Sequence, residues 1–222
     1  MSITNDTLHF LKALEANNNR EWFNENKSIF KSHEANAKAF FQEIEKELNT
    51  IDNISGHKVY RIYRDVRFSK DKSPYKNRFA GGFTRATAAL RGGYYLNIEP
   101  GNSGVGGGFY SPNKEDLQRI RQEVAFDPTP LQAILNETKF KQTFGELQGD
   151  ALKTAPRGYN IDSPGIEILQ KKQFILFKSF TDKEVISPDF LKNVIMTYSV
   201  LRPFFDYMSD VLTTDENGTS IL

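Results

Sequence analysis

Basic side chains are concentrated in one stretch of this sequence, residues 58–78. The stretch contains Lys58, Arg61, Arg64, Arg67, Lys70, Lys72, Lys76 and Arg78. Only Asp65 and Asp71 oppose these eight cations, which leaves about six excess positive charges in a chain whose net charge is +1. Crowded guanidinium and ammonium groups repel one another unless an anion lies among them, and guanidinium groups bind phosphate and carboxylate in a bidentate manner. We call residues 58–78 the cationic segment and predict that it binds an anion.

The cationic segment alternates in polarity, which predicts a β-strand from Lys58 to Phe68 and then a loop. One face would carry Tyr60, Ile62, Val66 and Phe68, and the other face Arg61, Tyr63, Asp65 and Arg67. Strict alternation places Arg64 on the apolar face, where a charge needs a buried partner or a cavity. Beyond the strand, Pro74 holds Ser73 extended, so that the loop presents amides, hydroxyls and ammonium groups to a ligand.

The predicted ligand-binding residues combine cations that would hold the anion with tyrosines that would stack on the ligand or hydrogen-bond to it. They are Arg61, Tyr63, Arg64, Asp65, Arg67, Lys70, Lys72, Tyr75, Lys76 and Tyr94. Asp65 belongs to the set because it can satisfy one guanidinium and leave the others free. The alternative without a site is an ion-paired strand followed by a solvated basic loop.

Three functions are compatible with the cationic segment. The favoured one is binding of a small phosphorylated or carboxylated ligand, with or without a reaction. In a nucleic-acid-binding module the same cations would follow phosphates while Tyr and Phe stack on bases, although the near-zero net charge provides no global field for that. The third is a non-catalytic interaction protein whose basic segment docks an acidic partner.

The rest of the sequence lacks the motifs of well-known catalytic chemistry. It has no cysteine, and His9, His33 and His57 lack metal-ligand spacing, so neither a metal nor another cofactor is predicted. No Gly-x-Ser-x-Gly elbow occurs and no pair of carboxylates stands out, so no catalytic residue is predicted. Enzymatic activity therefore stays an open question.

Two further features of the sequence have structural as well as functional interpretations. The glycine-rich run at residues 104–108 lacks the lysine of a P-loop. It either forms an anion site where a helix starts near Ser111, or it lets another backbone or an aromatic ring approach closely. A second basic patch, formed by Lys153, Arg157, Lys171 and Lys172, is interpreted as a solvated face.

Residues 60–76, YRIYRDVRFSKDKSPYK, resemble the signature of a widespread conserved family of unknown function in bacteria and fungi. Four other stretches are similar to the pattern of that family, at residues 19–23, 93–96, 107–112 and 152–159. The resemblance extends over nearly the whole chain except the tail after about residue 212. It implies no reaction, cofactor or catalytic residue, and suggests only that these segments converge in space.

The elements that must position the cationic segment follow from hydrophobic periodicity. Helical spacing predicts a short helix with Leu8, Leu11 and Leu14 on one face, and a long helix from Asn19 to about Asn49. Alternation predicts a hairpin at residues 93–110 and a strand at residues 173–180. Further helices are predicted from Ser111, at residues 130–137 and 139–147, and from Ser187, the last with a kink or break at Pro203. The pattern predicts an α+β fold, an antiparallel-rich central sheet flanked by helices, with long N-terminal and C-terminal helices.

Composition predicts one α+β domain over residues 1–212 and a flexible C-terminal tail over residues 213–222. The absence of cysteine fits a reducing compartment, and the first residues do not read as a signal peptide. No apolar run approaches the length of a membrane span. We therefore expect a soluble cytoplasmic protein without a membrane partner, and the sequence gives no indication of its oligomeric state.

Overall fold

The computed structural model describes residues 2–215 and 217–222. Its helices are α1 (Asn5–Ala16), α2 (Arg20–Glu25), α3 (Lys27–Leu48), α4 (Lys114–Phe126), α5 (Thr129–Asn136), α6 (Thr138–Phe144), α7 (Ile166–Leu169), α8 (Asp182–Val185) and α9 (Phe190–Thr213). Its strands are β1 (Ile54–Val59), β2 (Phe79–Arg85), β3 (Gly93–Ile98), β4 (Ser103–Phe109) and β5 (Phe174–Phe180).

The five strands form one antiparallel sheet in the order β1-β2-β3-β4-β5, so each strand lies beside its neighbour in sequence. The predicted α+β fold with an antiparallel sheet and helices at both termini is confirmed. The predicted hairpin is β3–β4, and Tyr94, Leu96 and Ile98 are buried as the alternation indicates. Strand β2 was not predicted, and β1 begins at Ile54, before the predicted start of the strand at Lys58.

The N-terminal helices begin at polar caps. Thr4 caps α1, because its side chain accepts a hydrogen bond from the Thr7 amide at 3.3 Å. Asn19 caps α2 as predicted, accepting from the Trp22 amide at 3.0 Å. The predicted long helix is interrupted at Asn26, whose side-chain amide donates to the Trp22 carbonyl at 2.9 Å and so ends α2 before α3 starts.

Helix α9 continues through Pro203 instead of ending there. Its buried residues Leu201 and Phe205 pack closely over the glycine run of β4, since a Cβ on Gly107 would lie 2.9 Å from Leu201 and 2.8 Å from Phe205. A Cβ on Gly106 would lie 2.0 Å from the Leu176 carbonyl oxygen. The glycines therefore permit close approach, which is one of the two interpretations offered by the sequence.

The chain divides into two compact units, each with an aromatic core. The first comprises Met1–Phe83, Tyr95–Val105 and Ser179–Met196, and the second comprises Thr84–Tyr94, Gly106–Lys178 and Thr197–Leu222. In the first, Phe40 stacks on Phe190 with ring centroids 5.5 Å apart. In the second, the Tyr94 ring packs edge-on against Phe205 at 4.9 Å. Each contact buries a large apolar area at a favourable ring geometry.

The organisation as one domain over residues 1–212 stays a prediction, as does the flexible tail over residues 213–222. Within that tail Thr214 pairs with Ser220, and Glu216 lies outside the described residues. None of the helices in the described residues is long and apolar enough to cross a membrane.

Candidate functional site

The cationic segment is a paired ribbon closed by a loop. Strand β1 ends at Val59 and β2 begins at Phe79, so the predicted strand reaching Phe68 is wrong. The two arms between them remain joined by hydrogen bonds from the Lys76 amide to the Ile62 carbonyl at 2.8 Å and from the Arg64 amide to the Pro74 carbonyl at 2.9 Å. The loop over residues 65–73 connects the arms.

Leaving the strand changes the surroundings of Arg64. Its side chain is 37% exposed and forms an ion pair with Asp71, so the predicted location on a buried apolar face is wrong. The reason is that strand alternation ends before this residue. Ile62 is buried, whereas Phe68, expected on the same face, is 96% exposed.

Hydrogen bonds within the loop fix its shape. Arg67 donates through Nε and Nη2 to the Asp65 carboxylate at 2.9 and 2.6 Å, and Lys72 donates to the Val66 carbonyl at 2.9 Å. Hydrogen bonds from Ser73, and then the Arg64 guanidinium, lower the pKa of Asp71 to about 2. The Arg67 hydrogen bonds likewise lower the pKa of Asp65. These loop cations are therefore already engaged with protein oxygens.

The return arm of the ribbon is anchored to the turn before α2. The Asn18 side chain donates to the Tyr75 carbonyl at 3.0 Å and accepts from the Tyr75 amide at 3.1 Å. The Phe23 ring stacks on the Tyr75 ring with centroids 3.9 Å apart. These contacts make Tyr75, a predicted ligand-binding residue, the anchor of this arm, and burial raises the pKa of its phenol.

Four cations lie close together beside this anchor, and we call Arg61, Arg64, Lys76 and Arg78 the cation cluster. The pKa of Lys76 is lowered by burial and then by the positive charges of Arg78, Arg61 and Arg64. Asp71 pairs with Arg64, and Glu99 lies 3.4 Å from Arg78. Within the described residues Arg61 forms no ion pair, although its charge helps to lower the pKa of Asp65. Four positive charges therefore face three carboxylates, one of which is already paired with Arg67.

Polar side chains of β3 and the turn after it lie next to Arg78. Glu99, whose side chain is 13% exposed, accepts hydrogen bonds from Asn97 at 3.1 Å and Asn102 at 3.0 Å as well as from Arg78. Arg78 Nε and Asn97 Oδ1 are buried without a hydrogen-bond partner among the residues that the structure describes. A donor and an acceptor of this neighbourhood therefore remain open to a water or a ligand.

Two tyrosines complete the neighbourhood of Arg78. The pKa of Tyr95 is raised, mainly by burial. The positive charge of Arg78 opposes this increase, while Tyr60 and Glu99 add to it. The sequence-based set omitted Arg78, Tyr95, Asn97 and Glu99. The sequence did contain a signal for three of them. Tyr95, Asn97 and Glu99 occupy the outward positions of the predicted β3 strand, which follows the cationic segment in the sequence.

The structure gathers only part of the predicted ligand-binding set. Arg61, Arg64 and Lys76 lie in the cation cluster, while Asp65, Arg67, Lys70 and Lys72 lie in the loop. Tyr63 is 48% exposed and packs edge-on against Phe23 at 6.2 Å. Tyr94 is buried in the core of the second unit against Tyr198, with ring centroids 4.8 Å apart.

Other candidate features do not form a comparable site. Lys171 of the second basic patch donates to the Leu147 carbonyl at 2.7 Å, while Lys153, Arg157 and Lys172 are exposed. Residues 104–108 lie within β4, where Gly106 and Gly108 pack against the backbone of β5. In the described residues no three His, Asp or Glu side chains are grouped so as to hold a metal ion.

The model of a family described as conserved hypothetical protein, DUF2461, matches residues 6–207. The chain belongs to this family. The resemblance noted from the sequence is thereby confirmed, and the match to DUF2461 covers the entire cationic segment and strand β3. The description of DUF2461 assigns no activity that could be transferred to these residues. No curated protein and no solved structure matched the chain.

Proposed function

We propose that the protein binds a small phosphate- or carboxylate-bearing ligand at the cation cluster. The observation that carries this proposal is the position of Lys76, whose charged form is disfavoured by burial and then by three neighbouring arginines. A bound anion would reverse this effect, because it places negative charge where the folded chain has accumulated positive charge. Perturbed pKa values of this kind are typical of binding and catalytic sites.

The members of the cluster have different roles in this proposal. Arg61 is exposed and Arg78 retains an unsatisfied Nε donor, so both offer guanidinium donors to a planar or tetrahedral anion. Lys76 supplies a third positive charge beside them. Arg64 is bound to Asp71 and therefore contributes mainly its field.

The proposal is tested by titrating phosphate, pyrophosphate and citrate at constant ionic strength, with calorimetry for Kd and thermal unfolding for stabilisation. A ligand at about 100 times its Kd stabilises the folded state by about 2.7 kcal/mol, which corresponds to a Tm increase of roughly 5–10 °C for a chain of this length. Arg61→Gln and Lys76→Met are expected to weaken binding at least tenfold.

Two variants serve as controls for nonspecific charge effects. Lys46 is an exposed lysine of α3, and Lys46→Met removes the same charge outside the cluster. Arg67 is already held by Asp65, so Arg67→Gln is expected to change the Kd less than twofold. If Arg61→Gln and Lys76→Met bind phosphate, pyrophosphate and citrate as the unmodified protein does, the proposal is wrong.

A further inference from the structure

Exposed aromatic rings accompany the cations of the ribbon and loop. Tyr60 is 42% exposed, Tyr63 is 48% exposed and Phe68 is 96% exposed. Arg61, Arg64 and Arg67 occur between them in the sequence. Alternation of cations with accessible rings is the arrangement by which proteins hold phosphates while bases stack on aromatic faces.

Tyr60 is the ring best placed to act together with the cation cluster. It directly precedes Arg61, and its amide pairs with Ala80, two residues after Arg78, so Tyr60 lies beside the arm that carries Arg78. After burial, the charges of Arg78 and Tyr60 both act on the pKa of Tyr95. The Tyr60 backbone is fixed by the 2.7 Å hydrogen bond to Ala80. No other ring of the described residues packs against Tyr60, whereas Tyr63 contacts both Phe23 and Tyr75.

We propose that the ligand of the cation cluster is a nucleotide, with its phosphate held by Arg61, Lys76 and Arg78 and its base stacked on Tyr60. This inference rests on the proposed function, because it names the ligand class of the same site. The shared chemistry is a phosphate joined to a heteroaromatic base, either as a free mononucleotide or as one unit of a single strand.

A nucleotide uses the neighbourhood more completely than an anion without a ring. Phosphate or citrate alone would leave the Tyr60 face in water, while a base would cover it. Stacking of one base on an aromatic side chain strengthens binding by roughly 5- to 100-fold and tolerates every base, since each has a π-face. The proposal therefore specifies no base identity.

Phe68 offers a second stacking surface if the nucleotide belongs to a single strand. The Arg67 guanidinium lies 5.9 Å from the centre of the Phe68 ring. The bidentate ion pair with Asp65 holds the Arg67 side chain in place. A bilayer is the less favoured partner. Membrane binding needs several apolar side chains at one depth, and Phe68 stands between Arg67 and the polar Ser69 and Lys70.

The first experiment separates the base from the phosphate. Calorimetry compares ribose 5-phosphate with AMP and UMP, which carry the same phosphate, in the unmodified protein and in Tyr60→Phe and Tyr60→Leu. We expect both nucleotides to bind at least about fivefold more tightly than ribose 5-phosphate. Tyr60→Phe should retain this preference and Tyr60→Leu should abolish it. Tyr110→Leu, which removes a ring that is 73% exposed, is the matched control.

The outcomes distinguish this inference from the proposed function. If ribose 5-phosphate binds as tightly as AMP and UMP, the base makes no contribution and the nucleotide inference is overturned, while anion binding stands. If phosphate, pyrophosphate, citrate and the nucleotides all fail to bind, both are overturned. Loss of the base preference in Tyr110→Leu as well would also contradict the role given to Tyr60.

The second experiment separates a free nucleotide from a single strand. Fluorescence anisotropy compares thymidine monophosphate with an oligothymidylate of about twelve nucleotides at about 50 and 200 mM salt. If the strand binds more tightly and Phe68→Ala weakens it about fivefold or more, the single strand is the source. Equal affinities support the free nucleotide. Binding to anionic vesicles that depends on Phe68, with no binding of either nucleotide probe, overturns the inference.

Discussion

Two arginines bracket strand β2, and their surroundings differ sharply. Arg85 ends the strand with a side chain that is 0% exposed, and it donates to Asp206 at 3.0 Å, the Arg91 carbonyl at 2.9 Å and Ser209 at 3.2 Å. Its guanidinium also lies 5.3 Å from the centre of the Phe205 ring. Arg78, directly before the strand, reaches Glu99 only at 3.4 Å and retains a buried Nε without a partner among the described residues.

The difference teaches how to separate a structural cation from a binding cation. A buried guanidinium is tolerated when its donors are matched by acceptors, and then it holds surrounding elements in one arrangement. A guanidinium with unmatched donors and cationic neighbours has capacity left for a ligand. Arg85 belongs to the first kind and Arg78 to the second, although the side chains are chemically identical.

The largest effect is expected from Arg85→Met, which tests the structural half of this comparison. Removing Arg85 takes one donor away from the Arg91 carbonyl, from Asp206, which keeps Arg202, and from Ser209, which still accepts from the Arg91 amide. Because a buried, fully bonded guanidinium is lost, we expect the free energy of unfolding to fall by about 3 kcal/mol. Urea unfolding measures it. Arg202→Met removes the other, more exposed partner of Asp206 and should cost less than about 1 kcal/mol. Equal losses in the two variants would refute the distinction.

The variant Lys76→Met tests the other half of the comparison, namely that the cations around Arg78 form a binding site. In the absence of ligand we expect a higher Tm, because the substitution removes a partly buried charge and its repulsion from three arginines, while phosphate binding is weakened at least tenfold. The pKa of Lys76 is lowered in the folded state, so below the usual value of 10.5 the unfolded chain binds more protons there. Stability should therefore rise with pH towards that value, and less steeply in Lys76→Met. A Tm below that of the unmodified protein would argue against repulsion within the cluster.

The variant Tyr207→Phe tests whether a buried polar atom without a hydrogen-bond partner lowers the stability of the fold when it lies outside the cation cluster. The Tyr207 hydroxyl is buried without a partner among the described residues, and burial, followed by Glu123 and Asp127, raises its pKa to about 12. Removing the hydroxyl should leave stability unchanged or raise it by up to about 1 kcal/mol, as urea unfolding would measure. A loss greater than about 1 kcal/mol would reveal a hydrogen-bond partner, and the same doubt would then apply to Arg78.

The smallest effect is expected from Asp71→Asn, which removes the carboxylate that is paired with Arg64 of the cluster. Phosphate affinity should increase roughly twofold, because an exposed charge acts weakly through water.

The pKa of Asp71 is depressed to about 2, so its contribution to loop order is present above the usual 3.8 and is lost as pH falls through about 2. NMR titration of the Asp71 carboxyl and of the Ser73 amide follows this loss. Weaker phosphate binding would mean that Asp71 supports the site.

Much of the fold was predictable because its signals are local. Tyr94, Leu96 and Ile98 alternate cleanly in β3, and the prediction of a strand at residues 173–180 matches β5. Strand β2 was missed because its sequence, FAGGFTR, contains two glycines and its burial is nearly continuous instead of alternating. The opposite error occurred after Val59, where alternating residues leave the sheet and pair across a ribbon.

The site was predictable only as a concentration of charge. Sequence identifies Arg61, Lys76 and Arg78 as neighbours along the chain, but their neutralisation depends on residues far away in sequence, such as Glu99 for Arg78. The buried charge that the sequence assigned to Arg64 is found instead at Arg85, whose carboxylate partner Asp206 is 121 positions away. Such pairings follow from tertiary packing, which local periodicity does not encode.

The Asn18 side chain has a consequence for affinity. The Asn18 side-chain amide both donates to and accepts from the Tyr75 backbone, as the backbone of a neighbouring strand would. These two hydrogen bonds immobilise the arm that carries Lys76 and Arg78. The conformational entropy of aligning these cations is therefore lost when the chain folds, before a ligand arrives. Preorganisation of this kind leaves more of the electrostatic attraction available as binding free energy.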